Sequence, residues 1–100
     1  MSKTKQEIID DIKSHIQKRG GAYSDWYVGI SKDAKDRLLN GHGVKEKKDV
    51  WIYRKATSSQ IARELEDLFV NTLGTAGGGG GGDETSDMVY AYKKAKHTNP

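Results

Sequence analysis

The chain contains no cysteine, which excludes disulfides and zinc–thiolate centres. It has no run near the ~18 consecutive apolar residues of a membrane span. The opening Met1-Ser2-Lys3-Thr4-Lys5 leads into an amphipathic pattern and not into the apolar core of a signal peptide. The expectation is therefore a cytoplasmic protein with no membrane partner. No zinc finger or helix-turn-helix is recognisable as a separate DNA-reading module. A P-loop is also lacking. The glycine run 77–82 is followed by Asp83-Glu84-Thr85-Ser86-Asp87, whereas a P-loop needs Gly-Lys-Ser/Thr opening a helix.

What the chain does have suits one small domain. Of its 100 residues 34% are hydrophobic and 31% charged, enough for a modest core if the glycine-rich segment stays outside it. The net charge of +3 permits nucleic-acid binding without demanding it. On charge alone, a mildly basic soluble domain is the plainer reading.

Residues 4–18 read as a helix. Thr4 and Glu7 have the spacing of a capping box, Ile8, Ile12 and Ile16 share a stripe, and Gly20-Gly21 stop the pattern. His15 borders the stripe as a boundary or solvated residue. Residues 26–30 read as a buried strand, with Gly29 marking a bulge or a close backbone approach. A helix follows from Asp33 to Asn40, with Gly41 as its left-handed cap. The charge run 45–49 reads as a solvated loop.

Residues 50–56 have strand character, with Val50, Ile52 and Arg54 on one face and Trp51, Tyr53 and Lys55 on the other. Thr57 or Ser58 caps a third helix, and Thr57 with Gln60 fits a second capping box. Ile61, Leu65, Leu68, Phe69 and Leu73 form its stripe, and Gly74 ends it. The segment 75–87 reads as a flexible loop, because six glycines have a high ordering cost and no side chains to bury. Residues 88–93 form a last strand, and 94–100 a frayed basic tail. The expected fold class is α/β (α+β), a three-stranded sheet flanked by three helices in the order α-β-α-β-α-β. Two layers and parallel strand pairs are the default, since helices connect the strands.

The segment Trp26-Tyr27-Val28-Gly29-Ile30 with Arg37 aims a strand tyrosine and a helix arginine at one space, as a phosphate-handling site requires. Tyr27-Val28-Gly29 followed eight residues later by Arg37 also resembles the second half of the GIY-YIG nuclease signature. That resemblance covers about residues 26–70. It implies a magnesium-dependent endonuclease acting on nucleic acid. Arg37 would hold the phosphate through its planar fork, Tyr27 would position or deprotonate the attacking water, and His42 would be a ligand or proton carrier. Glu66, in Ala62-Arg63-Glu64-Leu65-Glu66, would bind the Mg2+, with Glu64 as the fallback. The family's first strand, Gly-Ile-Tyr, is missing ahead of Tyr27. The C-terminal strand is expected to lie beside residues 26–30 instead, with Tyr90 or Tyr92 supplying the first tyrosine.

The alternative is a non-catalytic nucleic-acid- or protein-binding module, with Arg37, Arg54, Lys55 and Lys93 on one contact surface. The choice between DNA and RNA, and the oligomeric state, stay open.

Overall fold

Thr4 caps the first helix. In the computed structural model, which describes residues 3–77 and 85–98, its Oγ1 accepts the Glu7 N–H at 3.2 Å and the Glu7 carboxylate accepts the Thr4 N–H at 2.9 Å. This reciprocal box satisfies two donors that a helix start leaves open. Helix α1, Lys5–Arg19, follows and ends where the Gly20 N–H returns to the Ile16 carbonyl. Ile8, Ile12 and Ile16 are buried. Each contributes about 1.5–3 kcal/mol relative to exposure, which outweighs the weak intrinsic tendency of so short a helix.

The sheet has four strands, not the three expected: β1 Trp26–Ser31, β2 Trp51–Lys55, β3 Ala76–Gly77 and β4 Met88–Lys93, in the order β2-β4-β1-β3. The unforeseen strand is β3, which lies in the segment expected to be a loop and runs parallel to β1 at Tyr27 and Val28. Gly77, at φ 135°, makes this pairing possible, because a side chain there would strike the Val28 carbonyl. Of the expected flexible loop, residues 78–84 lie outside the described ones. The expected parallel pairing of β1 with β2 does not form. The two run in the same direction, but β4 inserts between them, antiparallel to both.

Helix α2 is one turn, Ala34–Asp36, widened into a π turn over Arg37–Gly41. The expected left-handed cap at Gly41 moves to Gly43, at φ 74°. The wider turn carries the chain one residue further, so the His42 N–H bonds the Arg37 carbonyl at 2.9 Å. Helix α3, Ser59–Asp67, is capped by Ser58, whose Oγ accepts the Ile61 N–H at 3.2 Å. The expected Thr57–Gln60 box does not form, since the Gln60 amide turns to Glu64 at 3.4 Å. A second π turn, Leu68–Leu73, extends α3 to the left-handed Gly74 that was expected to end it.

The layers also differ from expectation. Helices α1 and α3 cover one face of the sheet, packing on Trp26, Val28, Ile30, Ile52, Val89 and Ala91. Helix α2 packs on the opposite face, where Ala34, Leu38 and Val44 meet Tyr90 and Tyr92. The result is a mixed α+β fold with a helix layer on each side of the sheet. The tail is anchored over its described part. The Lys94 N–H reaches the Asp25 carbonyl at 2.8 Å, His97 bonds Asp49 at 2.5 Å, and Thr98 is buried. Residues 99–100 lie outside the described ones. Among the described residues, no helix is long and apolar enough to cross a membrane.

Candidate active site

Strand register brings the tyrosines together. Tyr27 on β1 stands opposite Tyr92 on β4, and Gly29 opposite Tyr90. Directly opposed residues share a face, so all three rings lie on the α2 side of the sheet. Tyr27 stacks on Tyr92 with centroids 5.3 Å apart and lies 6.4 Å from Tyr90. The C-terminal strand therefore does lie beside β1, with its tyrosines on the face of Tyr27, as expected from the absent first strand.

Gly29 determines where Tyr90 lies. A Cβ at position 29 would stand 2.5 Å from the Tyr90 hydroxyl and 2.6 Å from the ring carbon bearing it. The bare glycine thus forms the seat of the phenol. Gly29→Ala is expected to destabilise the fold by about 1–3 kcal/mol, since the ring must shift in a packed site. In a Tyr90→Leu background the same change should matter less. Equal destabilisation in both backgrounds, measured by denaturant unfolding, would rule out this contact as the cause.

His42 bridges the two C-terminal tyrosines. Its Nε2 is 2.7 Å from the Tyr90 hydroxyl and its Nδ1 is 3.3 Å from that of Tyr92. A histidine between Gly41 and Gly43 in a loop reads from the sequence as exposed, but the π turn and Gly43 fold it inward to 7% exposure. A neutral imidazole has one donor and one acceptor nitrogen. One phenol therefore donates to His42 while the other accepts from it, and a proton can move along the chain of three.

The phenols are hard to ionise. Burial pushes Tyr27 up first, the Glu66 charge adds to this, and the Arg37 charge opposes it. Burial likewise raises Tyr90 and Tyr92, with Tyr27 contributing to both. A base role for Tyr27 requires a depressed pKa, and the shift has the opposite sign. At neutral pH all three stay protonated; Tyr90 and Tyr92 are buried against His42, which leaves the half-buried Tyr27 as the donor suited to a phosphate oxygen or to a water held in place.

Arg37, exposed on the π turn, and Glu66, half-buried on α3, bring opposite charges within electrostatic reach of Tyr27 and Tyr90. Helix α3 packs on the other face of the sheet, so Glu66 is linked to the tyrosines by its charge and not by a shared face. Burial raises the Glu66 carboxyl above its ordinary value, Arg63 opposes this, and Asp67 adds to it. A desolvated carboxylate beside a second acid gains from a cation. One carboxylate completed by waters and a phosphate oxygen is a donor set magnesium accepts, so Glu66 fits the ion. Among the described residues no cluster of three or more His, Cys, Asp or Glu side chains forms a fuller metal cage. Glu64, the fallback, is committed to Lys5 at 2.9 Å.

The four expected contact cations do not share a surface. Arg37 and Lys55 belong to the tyrosine face, Lys55 lying 3.8 Å from Asp87. Arg54 and Lys93 belong to the helix face, where Arg54 bonds Asp11 at 2.9 Å. Sequence reading left the choice between Tyr90 and Tyr92 open, and both contribute. It also missed the parallel stack of Trp51 on Tyr53, with centroids 5.9 Å apart, on β2 beside them. The alternation Trp51-x-Tyr53 facing Tyr90-x-Tyr92 was the available signal. No protein-family model, curated protein or solved structure matches the chain.

Proposed function

We propose that this protein is a magnesium-dependent endonuclease that cleaves nucleic-acid phosphodiester bonds at the tyrosine face, in the manner of the GIY-YIG nucleases it resembles. The observation that carries the reading is the bridge from Tyr90 through His42 to Tyr92, set beside Tyr27 with Arg37 and Glu66 in electrostatic reach.

Each residue then has a task suited to its chemistry. Arg37 holds the scissile phosphate through paired N–H donors and offsets its growing charge. Tyr27, kept protonated, donates to a phosphate oxygen or positions the water. Imidazole is the side chain that takes up and releases protons near neutral pH. As the water attacks phosphorus, its proton passes to the Tyr90 oxygen while the Tyr90 proton moves to His42 Nε2. Phenolate therefore never accumulates. Glu66 would hold the magnesium, which when bound stabilises negative charge on the phosphate and leaving oxygen.

A second reading, a nucleic-acid-binding module without catalysis, is favoured by the raised Tyr27 phenol, which can bind phosphate without losing a proton. End-labelled duplex, branched and single-stranded DNA and RNA, incubated with and without magnesium, separate the two. The expected result is cutting of at least one substrate that stops when the metal is chelated. Binding without cutting of any substrate would leave the module reading in its place.

A further inference from the structure

Beyond the tyrosine face, a groove runs along the outer edge of β2 and is shared by cavities of about 260 Å³ and 400 Å³. Both are lined by His15 and Trp51. The first continues over Arg19, Lys47 and Lys48, the second over Tyr53. A third cavity of about 220 Å³ adjoins them at His15 and carries Lys18 on its rim.

The groove is built for a polyanion. The acids at its sides are already engaged: Asp49 bonds His97 and accepts the Lys45 N–H, and Asp11 pairs with Arg54 and Lys3. Lys18, Arg19, Lys47 and Lys48 are exposed, and none forms an ion pair among the described residues. It is also built for a flat ring. The Trp51 indole is fixed by its N–H bond to the Glu46 carbonyl at 3.0 Å and stacks on Tyr53 within 9° of parallel. The His15 ring on the floor packs edge-on to Trp26, and its Nε2 is buried without a hydrogen-bond partner.

A peptide adding as a fifth strand fits poorly. The Lys3 N–H takes the Lys55 carbonyl and the Arg54 guanidinium takes the Tyr53 carbonyl, so an added strand would have to displace two bonds already made on this edge.

We propose that this groove binds single-stranded nucleic acid, with a base stacked on the Trp51–Tyr53 pair and the backbone following Arg19, Lys47 and Lys48. Stacking on a rigid aromatic with cations along the phosphates is how unpaired strands are held without sequence preference. A duplex keeps its bases paired and cannot offer a free face to Trp51. The site uses none of the residues assigned to cleavage and stands whether or not the protein cuts. Strands in a sheet are ~4.8 Å apart, so the platform lies one strand from Tyr90 and Tyr92 and on the order of 10 Å from Tyr27. A strand in the groove can therefore feed the tyrosine face.

Tryptophan fluorescence tests the proposal directly. The protein has two tryptophans, and Trp26 is fully buried, so quenching by a ligand reports Trp51. The wild-type protein is titrated with a short oligothymidylate in excess chelator, where cutting plays no part. Strong quenching is expected, and a duplex of equal length should not reproduce it. Lys47→Gln with Lys48→Gln, two exposed changes that spare the fold, should weaken binding about tenfold. They should also reduce the slope of log affinity against log salt by about 1.4. Trp51→Leu, followed by oligonucleotide anisotropy, should weaken it on the order of ten- to a hundredfold. No quenching, equal quenching by duplex or by polyglutamate, or an unchanged salt slope would overturn the proposal. Cutting without quenching would sink the groove and spare the nuclease; quenching without cutting would do the reverse.

Discussion

Glu66→Gln is expected to lower magnesium-dependent cutting by on the order of 10³-fold while making the folded protein more stable at neutral pH. The loss follows from the charge. An amide is a poor ligand for a hard cation and leaves the developing phosphate charge without its partner. The gain follows from burial, which raises the Glu66 carboxyl above its ordinary value against the opposing Arg63 charge. A carboxyl whose folded pKa lies above its unfolded value binds its proton more tightly in the native state. Its contribution to stability is fully present below the unfolded pKa and is lost as pH rises through the folded one. At neutral pH the ionised Glu66 therefore works against folding, and glutamine removes that penalty. The difference between variant and wild type should be small in mild acid and grow toward neutrality, which denaturant unfolding at the two pH values measures. Magnesium should raise the wild-type midpoint by mass action and leave the variant unmoved. A variant that still cuts, or a wild type whose stability ignores magnesium, would remove Glu66 from the metal site.

How far the sequence discloses this architecture depends on how local the deciding forces are. The α1 cap is legible because Thr4 and Glu7 satisfy each other within one turn. The faces of β2 are legible because strand alternation is strict: Ile52 faces the helices, and Trp51 and Tyr53 face the tyrosines. The meeting of Tyr27 with Tyr90 and Tyr92 is legible as soon as β4 is placed beside β1. Other features depend on distant or backbone interactions. β3 has almost no side-chain signal, since Gly77 pairs by letting the Val28 carbonyl approach. The two π turns leave no periodic trace in segments of five and six residues. One of them is why His42 is buried and not exposed. Arg54 leaves the expected contact surface by strand alternation alone, and on the helix face it meets Asp11, forty-three positions away in the chain.

Arg37→Ala should reduce cutting by on the order of 10²- to 10³-fold and leave folding stability within about 0.5 kcal/mol of wild type. The side chain is exposed, so the fold loses little packing with it. Its placement is nevertheless specific. The Arg37 stem runs over Gly41, where a Cβ would come within 2.8 Å of its δ carbon. The Arg37 carbonyl also holds the His42 N–H at 2.9 Å. One widened turn thus sets both the guanidinium stem over Gly41 and the imidazole between its two phenols, which an ordinary helical turn with its four-residue bonds does not do. Arg37→Lys separates charge from geometry. Lysine keeps the positive charge, so substrate affinity and its salt dependence should stay near wild type. It lacks the planar fork that grips two phosphate oxygens at once, so the rate of the bound complex should remain depressed. A single-turnover assay with enzyme in excess reads that rate apart from binding. Full recovery with lysine would reduce Arg37 to an electrostatic anchor. A rate depressed equally in both variants, with affinity lost only in Arg37→Ala, would establish that the fork acts on the transition state.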